Sequence, residues 1–123
     1  MEFIEAPSFT KHLADYFDED EYAKLQGHLE REPAAGDLMI GTGGFRKLRW
    51  RDESRKGRRG GLRIIYYYFV SEYQIWFMSV YGKNEAIDLT PKEKKMLREA
   101  VTAELVMRAK GRAIRLDKHR GRK

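Results

Sequence analysis

Apolar positions recur every three or four residues through the first third of the chain, then alternate residue by residue through the middle, then return to the longer period near the end. That order predicts helices, a sheet and a closing helix. Phe3 and Ile4 read as a short edge strand before Pro7. Ser8 is placed to cap a helix whose apolar residues are Phe9, Leu13, Tyr16 and Phe17. Asp18 with Glu21 has the spacing of a second capping box, followed by the stripe Tyr22, Leu25 and Leu29. The expected product is a helical hairpin, ended by Pro33 and Gly36.

The period then changes to two. Residues 37–40 read as a strand, Gly41-Thr42-Gly43-Gly44 as a tight turn, and residues 45–50 as a strand in which Phe45, Lys47 and Arg49 alternate with Arg46, Leu48 and Trp50. Residues 51–61 show no core pattern and read as a mobile basic loop. Residues 63–70 and 73–81 follow as paired strands around Ser71-Glu72, apolar on both faces and therefore expected at the centre of a sheet. Thr90, Pro91 and Glu93 supply an N-cap, a first-position proline and the closing member of a capping box for a last helix. Met96, Leu97, Ala100, Val101 and Leu105 form its apolar face, and the pattern weakens beyond Met107. The expected fold class is α+β: a helical hairpin on a small, mostly antiparallel sheet, with a C-terminal helix. Residues 1–108 are the expected domain and 109–123 a basic tail that either extends the helix or orders on a partner.

Charge sharpens this outline. The net charge is +6, but residues 1–37 hold ten acids against three Lys or Arg, a net of −7, so the remaining residues carry +13. One end repels polyanions and the rest attracts them. Residues 46–63 alone carry nine Lys or Arg against Asp52 and Glu53, and residues 108–123 carry eight against Asp117. Such densities are the footprint of phosphate contacts. With 123 residues there is room for one compact domain and one site.

Other chemistries recede on residue type. The chain has no cysteine, which excludes disulfides, thiolate catalysis and cysteine-ligated zinc. His12, His28 and His119 are far apart and lack partners at metal-ligand spacing, so they read as structural or surface residues. The glycine cluster is not followed by the Gly-Lys-Ser or Gly-Lys-Thr of a phosphate loop, and it is not a dinucleotide fingerprint. Asp52, Glu53, Glu85 and Asp88 do not make the carboxylate cluster of a two-metal nuclease. No cofactor or metal is expected. No apolar run reaches membrane-span length, and Met1-Glu2-Phe3-Ile4-Glu5 lacks the layout of a secretion signal, so a cytoplasmic address is expected.

Metal-free polyanion chemistry remains. Cleavage of RNA by its own 2'-hydroxyl needs a base for that hydroxyl, positive charge at the pentavalent phosphate, and an acid for the leaving 5'-oxygen. Lys47, Arg49, Arg63 and Lys83 lie near the ends of neighbouring expected strands and form a converging cluster. Tyr81, or one of Tyr66, Tyr67 and Tyr68, is available to stack on a base or handle a proton. On residue types alone, cleavage and simple nucleic-acid binding both stand.

The hairpin, the stretch from Gly36 through Gly41-Thr42-Gly43-Gly44-Phe45-Arg46-Lys47-Leu48-Arg49-Trp50, the stretch Lys56-Gly57-Arg58-Arg59-Gly60-Gly61-Leu62-Arg63-Ile64-Ile65-Tyr66-Tyr67-Tyr68, and Tyr81-Gly82-Lys83-Asn84-Glu85 with Asp88-Leu89-Thr90 resemble, in order, the RelE/HigB toxins of bacterial toxin-antitoxin modules. The HigB-like branch is the nearer pattern, and the resemblance covers roughly residues 2–108. It implies an α+β fold and a ribosome-dependent mRNA endoribonuclease, acting in the ribosomal A site on mRNA and leaving a 2',3'-cyclic phosphate or its opened form and a 5'-hydroxyl. It also implies a cognate antitoxin that neutralises the toxin and, as a complex with it, binds operator DNA.

By that resemblance Lys47 and Arg49 are basic strand positions that orient substrate, one of them a candidate base. Arg63 engages the scissile phosphate, and Lys83 completes the catalytic set. Arg46, Arg55, Lys56, Arg58, Arg59, Tyr81 and Asn84 are the expected substrate contacts. Asn84 stands where the RelE pattern favours arginine, and Thr90 near a favoured tyrosine, so the acid and base are not transferred. The related ParE proteins poison gyrase without cutting RNA, and a gyrase-directed toxin or a non-catalytic nucleic-acid-binding regulator is the alternative reading.

Overall fold

The computed structural model describes residues 1–51, 61–82 and 89–120, with side chains through 112. Within them lie β1 (Glu2–Glu5), α1 (Pro7–Tyr16), α2 (Glu19–Arg31), β2 (Asp37–Leu38), β3 (Arg46–Trp50), β4 (Leu62–Phe69), β5 (Gln74–Gly82) and α3 (Pro91–Arg120). The strands form a five-stranded sheet in the order β1-β5-β4-β3-β2. It is antiparallel except where β1 runs parallel to β5. The fold is α+β, with α1 and α2 on one face and α3 on the other.

Each face has its own core. Phe9, Tyr16, Phe17, Leu25 and Leu29 of the hairpin pack with Leu48, Leu62, Ile64, Tyr66, Ile75, Phe77 and Val80. Val101 of α3 packs with Phe45, Ile65 and Phe69 on the far side. Coverage on both faces explains why β4 and β5 read as nearly continuous apolar runs while β3, nearer the edge, alternates. One extra residue in β5, opposite Ile65 and Tyr66, shifts the register there and keeps both cores filled along the strand.

Local signals held where the partner is close in sequence. The Asp18 carboxylate accepts from Glu21 N–H at 2.8 Å. At α3, Thr90 Oγ1 accepts from Glu93 N–H at 3.1 Å, while Glu93 Oε1 accepts from Thr90 N–H at 3.0 Å. Ser8 is a correction: α1 starts at Pro7 with Ala6 as its N-cap, because proline suits the first turn, where its missing N–H has no partner to lose. The Ser8 hydroxyl instead donates to the Met78 carbonyl and ties α1 to β5. β2 is also shorter than the stretch 37–40, since the chain turns at once through Gly41, Gly43 and Gly44, all at positive φ. α3 continues as one helix past residue 108. No helix among the described residues is long and apolar enough to cross a membrane.

Candidate nucleic-acid interface

The basic residues meet through strand register. Arg49 of β3 is paired with Arg63 of β4, and Arg63 is in turn paired with Tyr81 of β5. The three form one row across three strands, spaced by about 4.8 Å per strand. Lys47, paired with Ile65, lies one step along β3 on the same face, because residues two apart on a strand project to one side. That face is the one α3 covers: Ile65 belongs to its core and Tyr81 packs at the core's edge. Arg49 is exposed, whereas Lys47, Arg63 and Tyr81 are half-buried. The row sits at the end of the sheet away from the β4–β5 turn.

Two arginines directly opposite on adjacent strands place like charges side by side, in general an unfavourable arrangement for a sheet. A phosphate between them reverses the sign, since a guanidinium pair offers two planar forks to one anion. Tyr81, next in the row, supplies a ring and a hydroxyl at the same level. The arrangement is suited to gripping a phosphodiester and stabilising added negative charge on it.

Arg46 departs from this group. It shares the opposite face with Leu48 and Trp50, and its guanidinium donates to the carbonyls of Gly36 at 2.8 Å and Ala34 at 3.3 Å, fastening the loop after α2. The alternation along β3 had already divided Arg46 from Lys47 and Arg49. The tyrosines divide as well. Tyr66 is fully buried; its hydroxyl accepts from Gly36 N–H at 2.9 Å and donates to the Pro33 carbonyl at 2.8 Å, and burial raises its pKa. Tyr67 packs edge-on to Phe45 over Gly44, and Tyr68 packs on the hairpin side. Of the four tyrosines considered, Tyr81 is the one in the basic row.

Lys83, Asn84, Arg55, Lys56, Arg58 and Arg59 lie outside the described residues, as do Asp52, Glu53, Glu85 and Asp88. His12 lies 3.5 Å from Asp15 on the surface, and the His28 ring packs 5.5 Å from Trp50. Among the described residues no three His, Cys, Asp or Glu side chains gather as a metal site.

The sequence reading missed the supports of β3. Thr42 is fully buried; its Oγ1 donates to the Met39 carbonyl at 2.7 Å and accepts from Phe45 N–H at 3.1 Å, locking the turn that launches the strand. Arg98 of α3 donates to the Gly41 carbonyl at 2.9 Å. A β-carbon on Gly43 would stand 3.0 Å from Val101 Cγ1, so the glycine lets α3 approach the turn. A threonine between glycines is a turn-forming signal, but only the fold reveals its burial. A scan against protein-family models finds no match for the chain.

Proposed function

We propose that the protein is a ribosome-dependent mRNA endoribonuclease toxin, cleaving through attack of the RNA 2'-hydroxyl and held in check by a cognate antitoxin. The observation that carries the reading is the register placing Arg49 opposite Arg63, with Tyr81 beside them and Lys47 one step along the same face. In this scheme Arg63 and Arg49 clamp the scissile phosphate and offset the charge that builds as the 2'-oxygen attacks phosphorus. Lys47 orients the attacking ribose, and Tyr81 stacks on the neighbouring base or passes a proton. Lys83 belongs to the same proposed set, and Arg55, Lys56, Arg58 and Arg59 extend the grip on RNA phosphates without reading bases. The 2'-hydroxyl proton leaves to a base as the 2'-oxygen bonds to phosphorus, the bond from phosphorus to the 5'-oxygen breaks to leave a 2',3'-cyclic phosphate, and that oxygen takes a proton from an acid and departs as a 5'-hydroxyl. Ribosomal RNA and mRNA in the A site are the proposed partners, with operator DNA reached through the antitoxin complex.

The test is a reconstituted translation reaction with wild type and Arg63→Ala, mapping mRNA ends by primer extension and scoring 5'-hydroxyl products. Ribosome-dependent cuts lost in the variant support the reading. Intact mRNA with folded wild type overturns it and directs the same protein to gyrase-cleavage and duplex-DNA assays.

A further inference from the structure

The hairpin side of β3 carries a second group of basic and aromatic residues that the row does not use. Trp50, the last residue of β3, projects to the face opposite Arg49 and packs half-buried against the hairpin core. Its ring lies 5.5 Å from that of His28 on α2, tilted by 56°. Lys24, His28 and Arg31 are spaced by four and three residues, which sets them along one flank of α2. Arg31 Nη1 comes 3.5 Å from where a β-carbon on Gly27 would stand, so the guanidinium turns back along the helix. Lys24 and Arg31 are exposed, as is Arg51 immediately after Trp50. The acids of α2 are kept apart from this flank: Glu19, Asp20 and the buried Glu21 belong to its first turn, where acids suit a helix N-terminus, and Glu30 lies on the other flank. β2 pairs only with Arg46 and Lys47, so no described strand covers the outer edge of β3 from Leu48 to Trp50. That open edge is all that separates the Arg49–Arg63 row on one face from Trp50 and His28 on the other.

We infer that Trp50 and His28, flanked by Lys24, Arg31 and Arg51, form a stacking platform for single-stranded RNA, which passes round the open edge of β3 from the phosphate held by the Arg49–Arg63 row. The indole, backed by the hairpin core and steadied by the His28 ring, offers a fixed π-face to one base, while the cations beside it take the neighbouring phosphates. The turn round the strand edge and the splayed base both require an unpaired strand. The choice of RNA and the starting phosphate rest on the function proposed above; the existence of a single-strand platform does not.

Three variants of the full chain test it, each checked for folding by circular dichroism. Trp76→Phe leaves Trp50 as the one remaining tryptophan of the two in the chain. A 2'-O-methyl RNA oligonucleotide, which lacks the attacking hydroxyl, is expected to quench its emission, and an abasic strand of equal length and charge to leave it unchanged. Trp50→Leu is expected to weaken Kd for the RNA by about 5- to 150-fold, the loss of one base–aromatic stack. Lys24→Gln with Arg31→Gln alters exposed helix residues only. Removing two single-strand phosphate contacts at about 0.7 each is expected to make the slope of log K against log salt shallower by about 1.4. Emission unmoved by the RNA, or an unchanged slope, overturns the inference. Equal quenching by a DNA duplex overturns the assignment to a single strand, and tighter binding of single-stranded DNA of the same sequence overturns the choice of RNA. Quenching and a shallower slope in a protein that cuts no mRNA uphold the platform and remove the proposed activity. Ribosome-dependent cutting with Trp50 emission unmoved does the reverse.

Discussion

Arg49 faces Arg63 across the β3–β4 ladder, a like-charge pair built into neighbouring strands. A like-charge pair directly opposite weakens a ladder, and in the proposed function it is the place where the RNA phosphate binds. Arg49→Thr is therefore expected to raise the stability of the free protein by roughly 0.2–1 kcal/mol, by removing repulsion and adding a β-branched residue to a strand, while lowering RNA affinity and cleavage. Urea denaturation and end-mapping on one preparation check both signs. A variant that loses stability and activity together would mark Arg49 as a structural residue.

Tyr66 fastens the loop after α2 to the sheet through two hydrogen bonds. Tyr66→Phe leaves the buried Gly36 N–H without its acceptor, and a loss of about 1–3 kcal/mol is expected from thermal or denaturant unfolding.

The same tyrosine makes a pH prediction. Burial raises the folded-state pKa of Tyr66 above the ordinary 10.0, and burial, then the neighbouring Glu5 carboxylate, raises that of Tyr22. Above pH 10 the folded state thus holds protons that the unfolded chain has released. The stabilisation is complete below pH 10 and declines as pH rises beyond it. Denaturant midpoints measured from pH 8 to 11 are expected to fall in the wild type, and to fall less steeply in Tyr22→Phe.

Gly61 opens β4 at φ +74, and a β-carbon there would stand 2.6 Å from the Trp50 carbonyl oxygen. Gly61→Ala combines a left-handed backbone with a clash against β3, so a destabilisation of more than about 1 kcal/mol is expected. The perturbation lies two residues from Arg63. Loss of cleavage should exceed what the unfolded fraction explains, as measured by activity at temperatures well below the melting point.

Thr90 and Glu93 close a reciprocal cap on α3. Thr90→Ala is expected to cost about 1 kcal/mol in unfolding free energy, with cleavage unchanged at temperatures where the protein remains folded.

The relation between chain and fold follows the range over which each choice is made. Capping at Asp18 and Thr90, the hairpin stripe of Leu25 and Leu29, and the alternation along β3 are interactions between residues three or four apart or less, and their periods and donors stand in the sequence itself. The α+β class follows from them. Ser8 was misread because its partner, Met78, is seventy residues away. The same limit applied to the site. Residue type and resemblance nominated Lys47, Arg49, Arg63 and Tyr81, but only the pairing of β3 with β4 and of β4 with β5 decided that three of them share a row, that Lys47 flanks it, and that Arg46 serves the opposite face. The alternation of side chains determines what each strand presents to either side. Register between strands, set by the two cores packed against the sheet, determines which of those side chains meet.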